Sequence, residues 1–314
     1  IQSTTDANGN VTQVTYGSVG GYTDLYPTQT IAAYGTSIAR TSSMQYDFST
    51  GLPTLSTDVD NNISVVSEYD ILGRITKVKN AVGTALESWT TTEYSDSNRR
   101  VIIRSDLGTL GDGRRVAVQH FDQLGRVRLS RKLENSAAED PYNETHGIKV
   151  ETRYQTGSPN SFQTTSNPFR AATSAQATNE PTMGWTRSKS WSHGRRQEIE
   201  TFSGSDLPAP WGSNSTTTGV VSTDIDADGM LVTDQAGKRR ISKTNALGQL
   251  KEVWEILAAS EPGSESVSFP GTTIAHGFKT SYGYDTLSNL TTVNQGVQTR
   301  SFSYSSLSRL LSAT

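Results

Sequence analysis

Polar and apolar residues alternate along most of this chain in short runs, and Gly, Asn, Asp or Pro breaks each run before it grows long. Alternation with period two puts one set of side chains on each face of a pleated strand. On that basis Val11 to Tyr16, Ile63 to Tyr69, Trp89 to Tyr94, Arg100 to Ser105, Arg114 to Phe121 and Arg126 to Lys132 read as strands. So do Ile148 to Tyr154, Gly184 to Trp191, Arg195 to Phe202 and Met230 to Thr233. The β-branched run Val101-Ile102-Ile103 favours a strand over a helix. Ala171 to Thr178 reads as a short helix; Glu252 to Ser260 has helical composition but lies where the surrounding pattern calls for a strand. In one respect the alternation fails. Ile75 and Val78, Leu250 and Val253, and Leu290 and Val293 fall three apart, which in a regular strand places them on opposite faces. Either both faces carry apolar cover, or a bulge rotates the strand between them.

The breaks repeat. In Glu68-Tyr69-Asp70-Ile71-Leu72-Gly73-Arg74-Ile75 two strands meet at a tight corner. Asp70 suits the first position of a type I turn, where its carboxylate accepts a nearby backbone N–H, and Gly73 suits a position of positive φ. The pattern returns at Phe121-Asp122-Gln123-Leu124-Gly125-Arg126 and, more loosely, at Asn245-Ala246-Leu247-Gly248-Gln249. Tyr284-Asp285-Thr286-Leu287-Ser288-Asn289 keeps the first half, with Asn289 read as the residue tolerant of positive φ. Tyr304-Ser305-Ser306-Leu307-Ser308-Arg309 keeps Tyr, Leu and Arg; Tyr46-Asp47-Phe48-Ser49-Thr50-Gly51 is one residue longer, and Trp191-Ser192-His193-Gly194-Arg195 one shorter. Recurrence of one supersecondary unit is the mark of a repeat architecture. The segments Thr5-Asp6-Ala7-Asn8-Gly9-Asn10-Val11 and Thr57-Asp58-Val59-Asp60-Asn61-Asn62-Ile63 also look alike, with Asn8-Gly9 and Asn61-Asn62 as tight-turn pairs and Tyr22 to Tyr34 as an excursion between them. The expected organisation is a repeat sheet over 1–133, a repeat region with long Ser/Thr/Pro-rich loops over 134–220, and a second repeat sheet over 221–314. Loops are expected at about 134–146, 156–183 and 203–220.

With Tyr or Phe, Asp, Gly and Arg returning in fixed order, the chain resembles the YD-repeat (Rhs-repeat) proteins, whose relatives include shell-forming subunits of bacterial toxin complexes and the teneurins. The likeness is strongest at 46–78, 120–132, 234–254 and 282–311. It implies an all-β fold of repeated antiparallel hairpins forming a curved, spiralling sheet, part of a hollow shell around a C-terminal toxin or effector polypeptide. The implied partners are that enclosed polypeptide and adjoining repeats of the same protein, and the implied location is secreted or at the cell surface. The family's self-cleaving segment has no match here. Both ends of the chain fall within the repeat pattern and read as cuts, so a fragment is expected.

Composition sharpens this picture. Hydrophobic residues make up 33% of the chain, lean for a large solid core, while the net charge of −3 is too small to force disorder. A thin sheet burying a little apolar surface per strand reconciles the two. The near-neutral balance argues against nucleic acid as a partner. The clusters Arg99-Arg100, Arg114-Arg115, Arg195-Arg196 and Lys238-Arg239-Arg240 read as solvated strand edges. Without cysteine there are no disulfides or thiolate metal sites, and no apolar run reaches membrane-spanning length.

Candidate chemistry is sparse. Asp224-Ile225-Asp226-Ala227-Asp228-Gly229 starts like a calcium loop, but Gln235 stands where a bidentate Glu is required, so a hairpin corner at Asp226–Gly229 is the better reading. His120, His146, His193 and His276 show no metal-ligand spacing, and His120 and His193, at corners, read as surface or packing residues. Gly108 to Gly113 is a glycine-rich loop with no following helix, and no nucleophile elbow or Walker loop is present. No cofactor is expected. Glu134, Glu139 and Asp140 are spaced as a glycosidase might use them, a grouping chance supplies among 31 acidic residues. The recurrent Asp47, Asp70, Asp122 and Asp285 are explained by turn chemistry. Containment and delivery, not catalysis, is the function expected from the resemblance. The rival is a cell-surface module for carbohydrate or protein, with Trp185, Trp191 and Trp211 as exposed stacking surfaces; a polysaccharide-degrading enzyme is the third reading.

Overall fold

The computed structural model describes residues 2–192, 194–226, 228–256, 265–269 and 272–314. The chain divides into two compact units, Ile1–Val150 and Glu151–Thr314. Apart from a short 3-10 turn at Ser174–Asn179, the regular structure among the described residues is β.

In the first unit the strands are β1 (Gln2–Thr5), β2 (Val11–Tyr16), β3 (Pro27–Ala32), β4 (Arg40–Tyr46), β5 (Pro53–Asp58), β6 (Ile63–Tyr69), β7 (Ile75–Asn80), β8 (Ser88–Ser95), β9 (Arg100–Ser105), β10 (Arg115–Phe121) and β11 (Val127–Lys132). Each pairs antiparallel with the next in chain order. The presumed excursion at Tyr22–Tyr34 is thus a sheet member, β3, held between β2 and β4. β12 (Ile148–Gln155) crosses the division between the units.

The second unit continues with β13 (Asn160–Ser166), β14 (Gly184–Trp191), β15 (Arg196–Ser203), β16 (Thr216–Ile225), β17 (Gly229–Thr233), β18 (Arg239–Thr244), β19 (Leu250–Ile256), β20 (Glu265–Phe269), β21 (Thr272–Tyr284), β22 (Leu290–Gln295), β23 (Gln298–Tyr304) and β24 (Leu310–Ala313). From β12 to β19 each strand pairs antiparallel with its successor. Then β19 and β20 pair with successive parts of β21, whose Gly277 faces both Ile256 and Glu265. β22, β23 and β24 follow in order. Two expected loops are partly strand: β13 lies inside 156–183 and β16 begins inside 203–220. Their Ser- and Thr-rich sequences lack an apolar alternation, so the pairing partners, not the local pattern, make them strands. The short helix expected at Ala171–Thr178 appears as the 3-10 turn, and Leu250–Ile256 is strand; residues 257–260 of the helical reading lie outside the described residues.

A bulge follows the corners at Asp47, Asp70, Asp122, Asn245, Asp285 and Ser305. Glu68 faces Lys77 and Tyr69 faces Ile75, which leaves Thr76 as the extra residue. The same skip occurs at Thr54, Arg128, Lys251, Thr291 and Leu311. It settles the residues spaced three apart. Ile75 pairs with Tyr69 and Val78 with Ser67, two residues along one strand, so Ile75 and Val78 share a face.

Burial is thin. No described residue from Gln2 to Arg100 is fully buried, as the lean composition requires. Three small cores punctuate the rest. Ile102, Val116, Val118 and Leu133 form one in the first unit. Phe169, Ala177, Met183, Trp185 and Phe202 form the second, under the 167–183 loop, and Leu231, Ile241, Trp254, Val267 and Phe269 form the third.

Gly125 has φ +76° and open space where a Cβ would stand, so a substitution there tests backbone strain alone. Gly125→Val is expected to cost about 1–2 kcal/mol, because a β-branched side chain is forced to positive φ. Leu124→Val, at a side chain that is 73% exposed, is expected to leave stability nearly unchanged. Urea melts of the two variants beside the parent check this; equal midpoints for all three would remove the turn assignment.

Candidate functional site

The repeat corners are one device built many times. At Asp70 the carboxylate Oδ1 accepts the N–H groups of Leu72 and Arg74, each at 2.9 Å, and Oδ2 accepts Arg74 Nε at 2.7 Å. The Gly73 N–H donates to Asp70 O, and the Asp70 N–H to Arg74 O. Asp122 repeats every contact with Leu124, Gly125 and Arg126. Asn245 does so with its side-chain carbonyl toward Leu247 and Gln249, and Asp285 toward Leu287 and Asn289. Ser305 substitutes a hydroxyl at 3.3 and 3.2 Å. Two further copies stand outside the sequence pattern: Asp6, which accepts from Asn8 and Asn10, and Asp234, which accepts from Ala236 and Lys238. Asn8-Gly9 is therefore part of a capped corner closed by Asp6; at Asp58–Ile63 the Asp58 carboxylate accepts the Asn61 N–H and Nδ2 instead, and Asn62 takes φ +53°. At Asp285 the positive φ falls on Ser288, +68°, and not on Asn289, which stands in the Arg position and donates Nδ2 to Asp285 Oδ2 at 2.9 Å.

The longer copy at Asp47 closes through Thr50, whose N–H and hydroxyl both donate to Oδ1, with Gly51 at φ +70°. In the shorter copy the Gly194 N–H donates to Trp191 O, and Arg195 O accepts from Ile225 N; His193 lies outside the described residues. Asp226 N donates to Gly229 O across the β16–β17 hairpin, as a corner and not a calcium loop; Ala227 is outside the described residues.

The aromatic residue before each corner has a role that no pattern disclosed. Tyr46 OH donates to Pro27 O at 3.0 Å, Tyr69 OH to Pro53 O at 2.7 Å, Tyr94 OH to Ile75 O at 3.1 Å and Tyr284 OH to Leu250 O at 3.0 Å. In each case the last residue or two of one strand reaches the first residue of a strand hydrogen-bonded to it, the preceding strand for Tyr46, Tyr69 and Tyr94 and β19 for Tyr284. Phe121 has no hydroxyl and forgoes this bond.

In the first unit two loops rise over one sheet face. Pairing puts Trp89, Thr91, Arg104, Val116, Val118, His120 and Arg131 on that face. The 106–114 loop is drawn tight by two carboxylates. Asp112 accepts the N–H groups of Leu107, Gly108, Thr109 and Arg114, and Asp106 those of Trp89, Gly111 and Gly113. These amides hold the carboxyl groups of both residues below the usual range. The 134–147 loop folds back over the face and is fastened from beneath. Arg131, 1% exposed, donates to the carbonyls of Asn143, His146 and Pro141. Lys149 donates to those of Thr145 and Gly147, and Glu139 accepts the N–H groups of Glu134, Asn135 and Gly147. Between the loops lies a cleft of about 480 Å³ lined by Trp89, Arg104, Gly111, Val116 and Tyr142 among others. Tyr142 OH donates to Glu93 at 2.9 Å, Trp89 Nε1 to Glu87 at 2.8 Å, and Lys77 Nζ sits 3.6 Å over the indole.

Glu139 is a loop brace and Asp140 accepts the Tyr142 N–H. Trp185 is not an exposed stacking surface: it is 1% exposed and centred in its core, its Nε1 donating to Ser205 O. The alternation of β14 does not show which face the 167–183 loop will cover. Trp191 is half-buried beside Lys189 and Arg196. Arg100 is no solvated edge charge, since its guanidinium packs on Tyr142 at 4.7 Å. Among the described residues no three His, Asp or Glu side chains converge as a metal site, and no helix is long and apolar enough to cross a membrane. Compared with known proteins, the sequence matches no protein-family model and no curated protein.

Two outcomes follow from these contacts. Tyr69→Phe is expected to cost about 0.5–1.5 kcal/mol in a urea melt, the worth of one hydrogen bond, while Phe121→Tyr regains a comparable amount only where a carbonyl is in reach. The corner carboxylates Asp70 and Asp122 are held low chiefly by the backbone N–H of Arg74 and Arg126. A depressed folded pKa contributes stability that is present above the unfolded value and lost as pH falls through the folded one. Corner melting is therefore expected only below about pH 4, and a circular-dichroism acid titration checks the onset.

Proposed function

We propose that this chain is a wall segment of a YD-repeat (Rhs-repeat) shell, whose work is to enclose and help deliver a C-terminal toxin or effector polypeptide. The observation that carries the reading is the corner itself. Its recurrent carboxylate, glycine and arginine are all spent on closing a turn and fixing a bulge, and the strands it joins pair with their chain neighbours. Such a unit extends a sheet and has no group left over for a reaction. The strand faces suit a container: segments such as Ser88–Ser95 and Asn160–Ser166 are rich in Ser and Thr, and a polar, thinly apolar wall gives an unfolded guest little to adhere to. In this reading the partners are the enclosed polypeptide and adjoining repeats, and the protein works outside the producing cell or on its surface.

Limited proteolysis of the full polypeptide tests it. The C-terminal part is expected to resist protease while the wall is folded and to become sensitive once urea opens the wall. Asp122→Asn is expected to lower the opening concentration without abolishing protection in buffer. Equal protease sensitivity of the C-terminal part with and without the folded wall would remove the reading. The second reading, a carbohydrate-binding module, is favoured by the cleft between the two loops, where Trp89 and Tyr142 flank polar Thr91 and Arg104. A glycan array with Tyr142→Ala as control distinguishes it; binding that the substitution removes would favour this reading.

A further inference from the structure

The 134–147 loop is held down by buried cations, and two bonds that shape this anchorage are accepted by imidazole nitrogens, one from Arg131 and one from a backbone N–H inside the loop. His120, 1% exposed, has its Nε2 facing Arg131 Nε at 3.2 Å and its Nδ1 facing Glu144 Oε1 at 3.3 Å. Guanidinium nitrogen is only a donor and carboxylate oxygen only an acceptor. His120 must therefore carry its proton on Nδ1 and offer a lone pair at Nε2. His146, in the loop, accepts the Asp140 N–H at Nδ1, 2.8 Å away. A backbone N–H is likewise only a donor, so this nitrogen too must be unprotonated.

We propose that the 134–147 loop is an acid-released flap, fastened to the Trp89–His120 sheet face by Arg131, which the lone pair of His120 Nε2 positions, and folded on itself by the lone pair of His146 Nδ1, and that it is set free when those nitrogens take up protons. A proton on His120 Nε2 turns a bond with Arg131 into a meeting of two cations. Arg131 is the residue that holds the carbonyls of Pro141, Asn143 and His146, so what displaces it unfastens the loop at three points. A proton on His146 Nδ1 ejects the Asp140 N–H and breaks the turn that carries Tyr142 into the cleft wall.

The surrounding charges favour release. Around His120 stand Arg100 from β9, Arg128 and Arg131 from β11, and Glu144 from the loop; three cations oppose a fourth, and the one carboxylate is itself engaged by Arg128. Around His146 stand Arg131 on its own carbonyl, Lys149 on the carbonyls of Thr145 and Gly147 on either side, and the loop acids Glu139 and Asp140, which are occupied with backbone N–H groups. Burial, against the pull of Glu144, pushes His120 down to about 4. A His whose folded value lies below its unfolded value costs stability as pH falls from the unfolded value toward the folded one. The window thus runs from about pH 6.5 down to about 4, above the range where the corner carboxylates give way. Opening of the flap would uncover the Ile102–Val116–Val118–Leu133 core and remove one wall of the cleft.

Hydrogen exchange by mass spectrometry on the whole chain, expressed as protection relative to intrinsic rates, tests this at pH 7.5 and pH 5.0. Protection in 134–147 is expected to fall about thirtyfold in the parent, from His120 alone, while the β8–β10 amides hold steady. In a His120→Gln, His146→Asn variant, whose carbonyl oxygens accept the same bonds without titrating, the fall is expected to vanish. Unchanged protection of the loop in the parent overturns the proposal, and so does an equal fall in parent and variant, which would assign the opening to carboxylates. Should the variant fail to fold, nitrogen-15 spectra of the parent imidazoles decide. Titration of His120 and His146 coincident with loss of loop protection supports the flap; titration without that loss overturns it.

Discussion

The hydrogen bonds that one side-chain oxygen accepts from two backbone amides, at the second and fourth residues beyond it, are the constraint on which the rest of the structure depends. At Asp70 this closes the turn, but the geometry that lets Oδ1 reach both Leu72 and Arg74 also sets the exit of the next strand, and Thr76 is squeezed out of the ladder. The bulge turns Ile75 and Val78 to one face and increases the local twist. At Asp6 and Asp234 the same bonds close the turn without a bulge, so the capped turn is the common element and the bulge accompanies it at the other corners. Because the carboxylate, the amide and the hydroxyl at Asp122, Asn245 and Ser305 can all supply the oxygen, the corner survives changes that erase its sequence signature.

A second interaction links these corners across the sheet. The tyrosine hydroxyls at positions 46, 69, 94 and 284 each bond the carbonyl that opens a paired neighbouring strand, at the place where the bulge has disturbed the ladder. Sheet stability in the region before Arg100, where nothing is fully buried, then rests on backbone pairing, cross-strand side-chain contacts and these ties more than on a core. A sheet made this way is extended by adding hairpins and does not depend on completing an interior, as expected of repeat proteins whose units contact mainly their neighbours.

Where the first unit does acquire a core it also acquires buried charge. Arg131 and Lys149 are each 1% exposed and spend their donors on loop carbonyls. A buried cation with its hydrogen bonds filled costs little more than it returns, but one stripped of a partner is expensive. That asymmetry makes the 134–147 loop firm at neutral pH and makes its hold conditional on the protonation of His120 and His146.

The sequence by itself determined the strands, their order and most of the corners, because alternation and the Asp-x-x-Gly spacing act locally and each copy repeats the message. It also posed the three-residue spacing of Ile75 and Val78 correctly as a bulge or a two-faced sheet, without deciding between them. The Asn8-Gly9 turn was legible but its identity with the repeat corner at Asp6, like that at Asp234, was not, since the bonds that define a corner need only an oxygen and two amides. The strands β3, β13 and the start of β16 were hidden because their polar residues gain strand structure from neighbours far away in the chain. Tertiary structure alone decided what is covered. Local reading treats Trp185 as surface and His120 as surface or packing, and both are buried: the 134–147 loop is tied to Arg131 of β11, and the 167–183 loop is closed on itself by Glu180, which accepts the Arg170 N–H. Burial is a property of the assembled faces, and no run of residues carries it on its own.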